Sequence, residues 1–220
     1  LVLIITKIQT QNMLNHEITG NGKEDLILLH GFMENLMIWE EMEEKLSKKF
    51  RITKIDLPGH GKSKTYAEIH TMELIADEVR KVAEKLELKK FHLLGHSMGG
   101  YASLAFAEKF PEMLKSLTLF FSTFLPDDDE RKEQRRKSFR VIKDAFPHYV
   151  NAGIPNLFSE NERDVLEGKI NLAKEVALST KPEAALAAVK GMIERTDKTS
   201  VMENFAEKIL VITGKHDTAV

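Results

Sequence analysis

The stretch Asp25–Gly31, DLILLHG, sets four apolar residues in a row, Leu26 to Leu29, which in an extended chain point alternately to opposite sides. Such a strand is at home only where helices cover both faces of a sheet, as in a parallel arrangement. Its neighbours fit that plan: FRITKIDL from Phe50, FHLLG from Phe91, LKSLTLFF from Leu114 and KILVITG from Lys208 also read as strands. Between them Trp39, Met42 and Leu46, then Met72, Ile75, Val79, Val82 and Leu86, recur at helical spacing. Ser97 to Phe110 reads as a small-residue helix stopped by Pro111. This alternation predicts an α/β fold with a doubly wound, mostly parallel sheet. Upstream, Leu3 to Thr10 and Met13 to Thr19 read as two further strands, closed by Gly20-Asn21-Gly22.

The rhythm breaks between about residues 122 and 204. Helical patterns follow one another there without a strand: Phe139, Ile142 and Phe146; Val165 to Leu178; then Leu186, Val189 and Ile193 after a helix-starting Pro182. A chain of 220 residues holds one sizeable core, so the expected organisation is a core over 1–121, an inserted helical cap over 122–204, and the core resumed over 205–220. The chain begins with Leu1 and stops at Val220 directly after the KILVITG pattern, and an apolar ILVIT edge without charge or proline invites aggregation. The expectation is a C-terminally truncated piece whose last strand and helix are missing.

Charge narrows the partners. Lysine plus arginine number 32 against 34 acids, a balance that gathers neither nucleic acid nor an anionic membrane and favours a small or neutral substrate. The absence of cysteine excludes disulfides and thiolate metal sites and fits a reducing compartment, so a cytoplasmic location is expected. The opening LVLIITK is far shorter than a membrane span and lacks the flanks of a signal peptide.

Chemistry is concentrated at Gly95-His96-Ser97-Met98-Gly99, a GxSxG pentapeptide between a buried strand and a helix. Alone, it fits an incidental serine in a glycine-rich turn as well as it fits a nucleophile. A tight turn needs Gly95 and Gly99 because side chains there would strike the adjoining backbone, and it strains Ser97 while aiming its hydroxyl at a helix N-terminus that favours negative charge. Gly61-Lys62-Ser63 copies the end of a phosphate-binding loop. Asp56 stands where that motif requires its first glycine, so nucleotide binding is set aside.

Three further motifs flank the serine turn: His30-Gly31-Phe32, Asp56-Leu57-Pro58-Gly59-His60-Gly61-Lys62-Ser63, and Gly214-Lys215-His216-Asp217. In this order and spacing the chain resembles the α/β-hydrolase superfamily, in its serine esterase and lipase-like branch with a helical cap, from about Met13 to Val220 and least closely through the cap. The resemblance implies Ser97 as nucleophile, the backbone amides of Phe32 and Met98 as oxyanion hole, and Asp217 as the triad acid. Taken in isolation, Asp217 reads as a turn aspartate after Gly214. The superfamily order of Ser, Asp and then His puts the proton acceptor downstream of Asp217. None of the eight histidines holds that place, so the catalytic histidine is expected beyond residue 220.

His30 and His60 are expected to organise turns. Met33, Leu36 and Trp39 are candidates for the substrate pocket, with core packing the alternative for each. The implied reaction is hydrolysis of a carboxylic ester or thioester through an acyl-enzyme, with no metal or organic cofactor. A lyase or cofactor-free perhydrolase on the same scaffold, or a non-catalytic binding protein, remains an alternative because fold does not fix reaction. Dehalogenase and epoxide hydrolase branches are disfavoured, since they would place an aspartate where Ser97 stands.

In the cap, DDDERKEQRRKSFRVIK runs from acidic to basic, as a helix dipole favours, with Asp127 and Arg131, and Glu133 and Lys137, spaced to pair. A solvated helix face accounts for this composition. A sharper expectation is that Arg131, Arg135, Arg136 and Arg140 receive an acidic acyl-carrier protein, because esterases resembling this chain that act on carrier-bound chains use a basic lid.

Overall fold

The computed structural model describes residues 13–215 and 217. Six strands form one sheet in the order β1-β3-β2-β4-β5-β6. They are β1 His16–Thr19, β2 Glu24–Leu29, β3 Phe50–Ile55, β4 Phe91–His96, β5 Leu114–Phe120 and β6 Lys208–Ile212. β1 runs antiparallel to β3, and every other pairing is parallel. The strand expected over Leu3 to Thr10 lies outside the described residues. The one expected from Met13 begins only at His16, because Asn15 is drawn to a neighbouring loop: its amide donates to Ser63 Oγ at 2.9 Å and its side chain to Asp56 Oδ2 at 2.8 Å.

The two-faced apolar run behaves as its composition requires. Leu26 and Leu28 pack with Trp39, Ile52 and Leu94 on one side, beneath α1, Glu40–Leu46. Ile27 and Leu29 face the other side, where they join the larger core with α2, Met72–Lys85, and α3, Met98–Lys109. In α2 the buried residues Met72, Ile75, Ala76, Val79, Val82 and Ala83 form one stripe, and Thr71 Oγ1 caps the helix by accepting the Leu74 amide. α3 is buried over nearly its whole surface, consistent with its alanines and glycines.

From β2 the chain moves to β3 on one side and then, through α2, to β4 on the other. The strand order therefore reverses between β2 and β4, and the loops leaving their carboxyl ends border the crevice where ligands bind in open α/β sheets.

Between β5 and β6 lie five helices: α4 Asp129–Asp144, α5 Phe146–Gly153, α6 Glu167–Leu178, α7 Pro182–Glu194 and α8 Thr199–Asn204. The expectation that Phe139, Ile142 and Phe146 share one helix is corrected. Ala145 breaks from helical geometry at φ −148, and Pro147, which cannot continue α4, sits in the first turn of α5. Val165 precedes α6 and is exposed.

The two segments that join these helices to the sheet are cross-braced. Asp127, whose side chain is 0% exposed, pairs with Arg135 at 2.6 Å and Arg195 at 2.8 Å. Arg195 stacks over the Tyr101 ring of α3 at 4.2 Å, and Lys198 reaches Glu108 at 2.6 Å. The amide of Lys198 donates to the carbonyl of Phe124 at 3.0 Å, tying the exit segment to the entry segment.

Candidate active site

The serine turn is built at the junction of β4 and α3. Ser97 has φ 49 and ψ −114, a region that costs a residue with a side chain on the order of 1–3 kcal/mol and persists only when its surroundings overdetermine it. They do. Its amide donates to the carbonyl of Phe120 at 3.0 Å, and its own carbonyl accepts from the Gly100 amide at 2.9 Å and from Ser122 Oγ at 2.8 Å. A Cβ added at Gly95 would lie 2.3 Å from the Gly99 carbonyl oxygen, and one at Gly99 would lie 2.4 Å from that of Leu29. Ser97 is half-buried and makes no side-chain cap to α3, so the hydroxyl is not consumed by the helix it precedes.

The facing wall is the loop after β2. His30 is fully buried and locks its base: Nε2 accepts the Leu57 amide at 2.9 Å, so Nδ1 carries the proton and donates to the Gly31 carbonyl at 2.7 Å. Burial, with a contribution from nearby His60, pushes its pKa down to about 3, which leaves the ring neutral. His60 is buried too and donates from Nδ1 to the Pro58 carbonyl at 3.0 Å. Both rings organise turns.

Asp56 fixes the far end of the loop. Its Oδ1 accepts the Leu36 amide at 2.9 Å while Oδ2 accepts that of Lys62 at 2.9 Å. Gly61, at φ 53, lies so close that an added Cβ would fall 2.2 Å from Asp56 Oδ2. The 56–63 motif is thus a brace for the 31–36 loop, and Lys62 points out to solvent rather than opening a helix.

Glu34 and His96 were not singled out from the sequence, although each adjoins a residue that was. His96 donates from Nδ1 to Glu34 Oε2 at 2.9 Å, and the same oxygen accepts the Gly31 amide at 2.5 Å. Burial opposes the imidazolium, but the Glu34 carboxylate and then Asp217 outweigh it and hold the His96 pKa above its ordinary value. Burial likewise opposes the Glu34 carboxylate, and His96 outweighs it to lower that pKa. No local signal marks the pair, since 62 positions separate its members.

Asp217 follows β6 in a turn in which its amide donates to the Gly214 carbonyl at 3.1 Å. Because β6 runs parallel to β5 and β5 to β4, Asp217 lies at the same end of the sheet as Ser97. One strand, β5, separates the strands that precede them, a spacing of roughly 10 Å between strand axes. His216 lies outside the described residues.

The three pocket candidates are all buried. Met33, at φ 57, turns the loop, and Leu36 opens the short helical turn before α1. Trp39 is 0% exposed and packs with Leu26, Leu28 and Ile52 while its ring meets His96 edge-on at 6.5 Å. Its placement is that of core packing, not of a pocket wall. Among the described residues no group of three or more His, Asp or Glu side chains is arranged to hold a metal ion, and no helix is long and apolar enough to cross a membrane.

The basic face of α4 is more occupied than its sequence suggests. Arg135 turns inward to Asp127, Arg136 pairs with Glu133 at 3.3 Å, and Arg140 lies 3.7 Å from Asp144. Asp127 and Arg131 approach at 4.0 Å as expected, whereas Glu133 is paired with Arg136 instead of Lys137.

Similar proteins share this architecture. A thermophilic esterase from Thermogutta terrifontis is 34% identical and superposes with a TM-score of 0.85, over 90% of this chain and 73% of its own. An enol-lactonase from Burkholderia xenovorans, at 22% identity, shares the fold with a TM-score of 0.85 over 94% of this chain and 79% of its own. A pimeloyl-acyl-carrier-protein methyl ester esterase of Nitrosomonas europaea is 35% identical over 107 residues, 49% of this chain and 40% of that protein. Matches to this and other curated relatives span only 30% to 42% of their lengths. A family model described as alpha/beta hydrolase fold matches residues 26–158, from β2 through the serine turn into the helices beyond β5, and the chain belongs to that family.

Proposed function

We propose that the protein is a serine hydrolase of carboxylic esters or thioesters, with Ser97 as nucleophile. The observation that carries this reading is the strained backbone of Ser97, held by Phe120 and Ser122 at the crevice where the strand order reverses. The esterase from Thermogutta terrifontis, similar over most of the chain, supports the substrate class.

In the proposed reaction Ser97 Oγ attacks the ester carbonyl carbon and gives its proton to a histidine. The carbonyl oxygen becomes an oxyanion that the amides of Phe32 and Met98 receive. Such donors stabilise the developing charge because they are fixed before it forms, and losing one costs roughly 3–4 kcal/mol in a comparable site. Collapse expels the alcohol, protonated by the same histidine, and leaves an acyl-serine. Water, deprotonated by the histidine, then attacks and releases the acid.

Asp217 orients that histidine across the gap left by β5. The described histidines are otherwise placed: His16 with the Leu14 carbonyl, His30 and His60 in turns, His70 accepting the Tyr66 amide, His92 with Ser116 and His96 with Glu34, while His148 is exposed on α5. The order Ser, Asp and then His in the α/β-hydrolase superfamily supports a base that follows Asp217 in the chain.

The substrate is proposed to be a small-molecule ester. Pimeloyl-acyl-carrier-protein methyl ester esterases among the relatives favour a second possibility, an acyl chain delivered on an acidic carrier protein. In that case docking falls to Arg136 and Arg140, since Arg131 and Arg135 both lie against Asp127.

Fluorophosphonate labelling of the full-length protein, followed by peptide mass spectrometry, tests the reading. The label is expected on Ser97 and absent from Ser97→Ala. A label on another residue, or none, overturns it. Turnover of a p-nitrophenyl ester series then gives acyl length.

A further inference from the structure

One oxygen of Glu34 is shared between the two walls of the crevice. Oε2 accepts the amide of Gly31, the residue before Phe32, and the Nδ1–H of His96, the residue before Ser97. The 31–34 loop and the serine turn are thus fastened through a single atom. Their strands, β2 and β4, are hydrogen-bonded neighbours only as far as Leu29 and Gly95, so this contact lies just past the end of the ladder. Beyond that point no sheet hydrogen bond sets their spacing.

The contact is closely fitted on every side. A Cβ at Gly31 would lie 2.8 Å from Glu34 Oε2 and 2.9 Å from His96 Nδ1, so glycine leaves the room in which the pair meets. Met33 adopts φ 57, which turns the chain back so that Glu34 closes on Gly31. The imidazole is held by the rings of Trp39 at 6.5 Å, Phe120 at 5.7 Å and Phe121 at 6.3 Å. Both side chains are largely shielded, at 20% exposure for His96 and 23% for Glu34. Each also favours the charged form of the other.

We propose that Glu34 and His96 are positioning residues whose hydrogen bond sets the distance between the Phe32 amide on one wall and Ser97 with the Met98 amide on the other. This rests on the reading of Ser97 as nucleophile. Neither side chain is asked to touch the reacting atoms. Two donors on separate loops act together on an oxyanion only if their separation is fixed beforehand. Loosening it weakens the transition state more than substrate binding, which lowers kcat while leaving KM nearly unchanged.

The test compares Glu34→Gln, His96→Asn and the double variant with wild type in the full-length protein, using a p-nitrophenyl ester and the rate of fluorophosphonate labelling at Ser97. Glu34→Gln keeps an acceptor for the Gly31 amide but loses the charge. Each single change is expected to lower kcat and the labelling rate by on the order of tenfold to a hundredfold, with KM within about twofold. The double variant is expected to be no worse than the poorer single, since both break one contact. Glu34→Asp, which keeps the charge, is expected to recover part of the loss and serves as the readout if Glu34→Gln does not fold.

Unchanged kcat, additive losses, or a fall in melting temperature with kinetics intact overturns the positioning role while Ser97, labelled in wild type, stands. A wild type that takes no label at Ser97 overturns the nucleophile reading and this inference with it.

Discussion

Ser122 Oγ donates to the carbonyl oxygen of Ser97 at 2.8 Å, joining the residue just past β5 to the strained residue just past β4. Ser122 is buried, and an added Cβ on Gly100 would come within 2.2 Å of its Oγ, so the hydroxyl has one place to go. Ser122→Ala is expected to lower stability by about 1 kcal/mol, the net worth of a typical internal hydrogen bond. Urea denaturation checks this as a reduced midpoint at an unchanged slope.

Gly99→Ala tests the turn more severely. The new methyl would meet the backbone carbonyl oxygens of Leu29 at 2.4 Å and His30 at 2.6 Å, and neither can retreat without disturbing β2. A loss of about 3 kcal/mol, the upper end of the overpacking range, is expected from chemical denaturation. Gly153→Ala, where nothing stands within 4 Å of the added carbon, is the matched control and should not destabilise.

Asp127 predicts an acid-sensitive brace. Burial works against its carboxylate, but Arg135 and Arg195 outweigh it and hold the pKa below the ordinary 3.8. The fold therefore binds fewer protons than the unfolded chain, so the stabilisation is complete above about pH 4 and is lost as pH falls through the folded-state value. Asp127→Ala leaves two arginines facing a missing partner and is expected to cost about 3–5 kcal/mol at neutral pH. Arg140→Glu, on a side chain 92% exposed, should change stability by under about 0.5 kcal/mol, as thermal melts would show.

His30 has the opposite chemistry with the same direction of effect. Its ordinary pKa of 6.5 falls to about 3 in the fold, chiefly through burial. Above pH 6.5 the ring is neutral in both states, and between 6.5 and about 3 the unfolded chain holds a proton that the fold rejects, so stability falls as pH drops through that window. Burial lowers His70 to about 4, adding to the same slope over the upper part of the window. Denaturation free energies from pH 7 to 4 should decline, and His30→Gln should flatten the decline even if it lowers the whole curve. An unchanged slope would refute the assignment.

The carrier proposal makes a separable prediction. Arg136→Glu with Arg140→Glu should weaken binding to an acidic acyl-carrier protein by calorimetry while leaving turnover of a free p-nitrophenyl ester intact. Equal carrier affinity in the variant rules out α4 as the docking face.

Local composition was enough to reveal the sheet and its order of elements. Four apolar residues at Leu26 to Leu29 require cover on both faces, and the stripe from Met72 to Val82 can satisfy only one side of a helix, so strands and helices could be placed from periodicity. The turn at Ser97 was legible for a similar reason: only glycine fits at 95 and 99, and that demand is written in adjacent letters. Helix ends inside the 129–204 region were less so, since Phe146 continues the spacing of Phe139 and Ile142 although Pro147 forbids the helix that would join them.

What the tertiary structure alone decided are the long-range polar contacts. Glu34 finds His96 across 62 positions, Asp127 finds Arg195 across 68, and Arg135 leaves the face of α4 that its neighbours occupy. Such pairs form because an ion removed from water must be met by another wherever packing has brought one, and packing is a property of the whole chain. Periodicity reports which face of an element is dry; it carries no record of which charge waits on the other side.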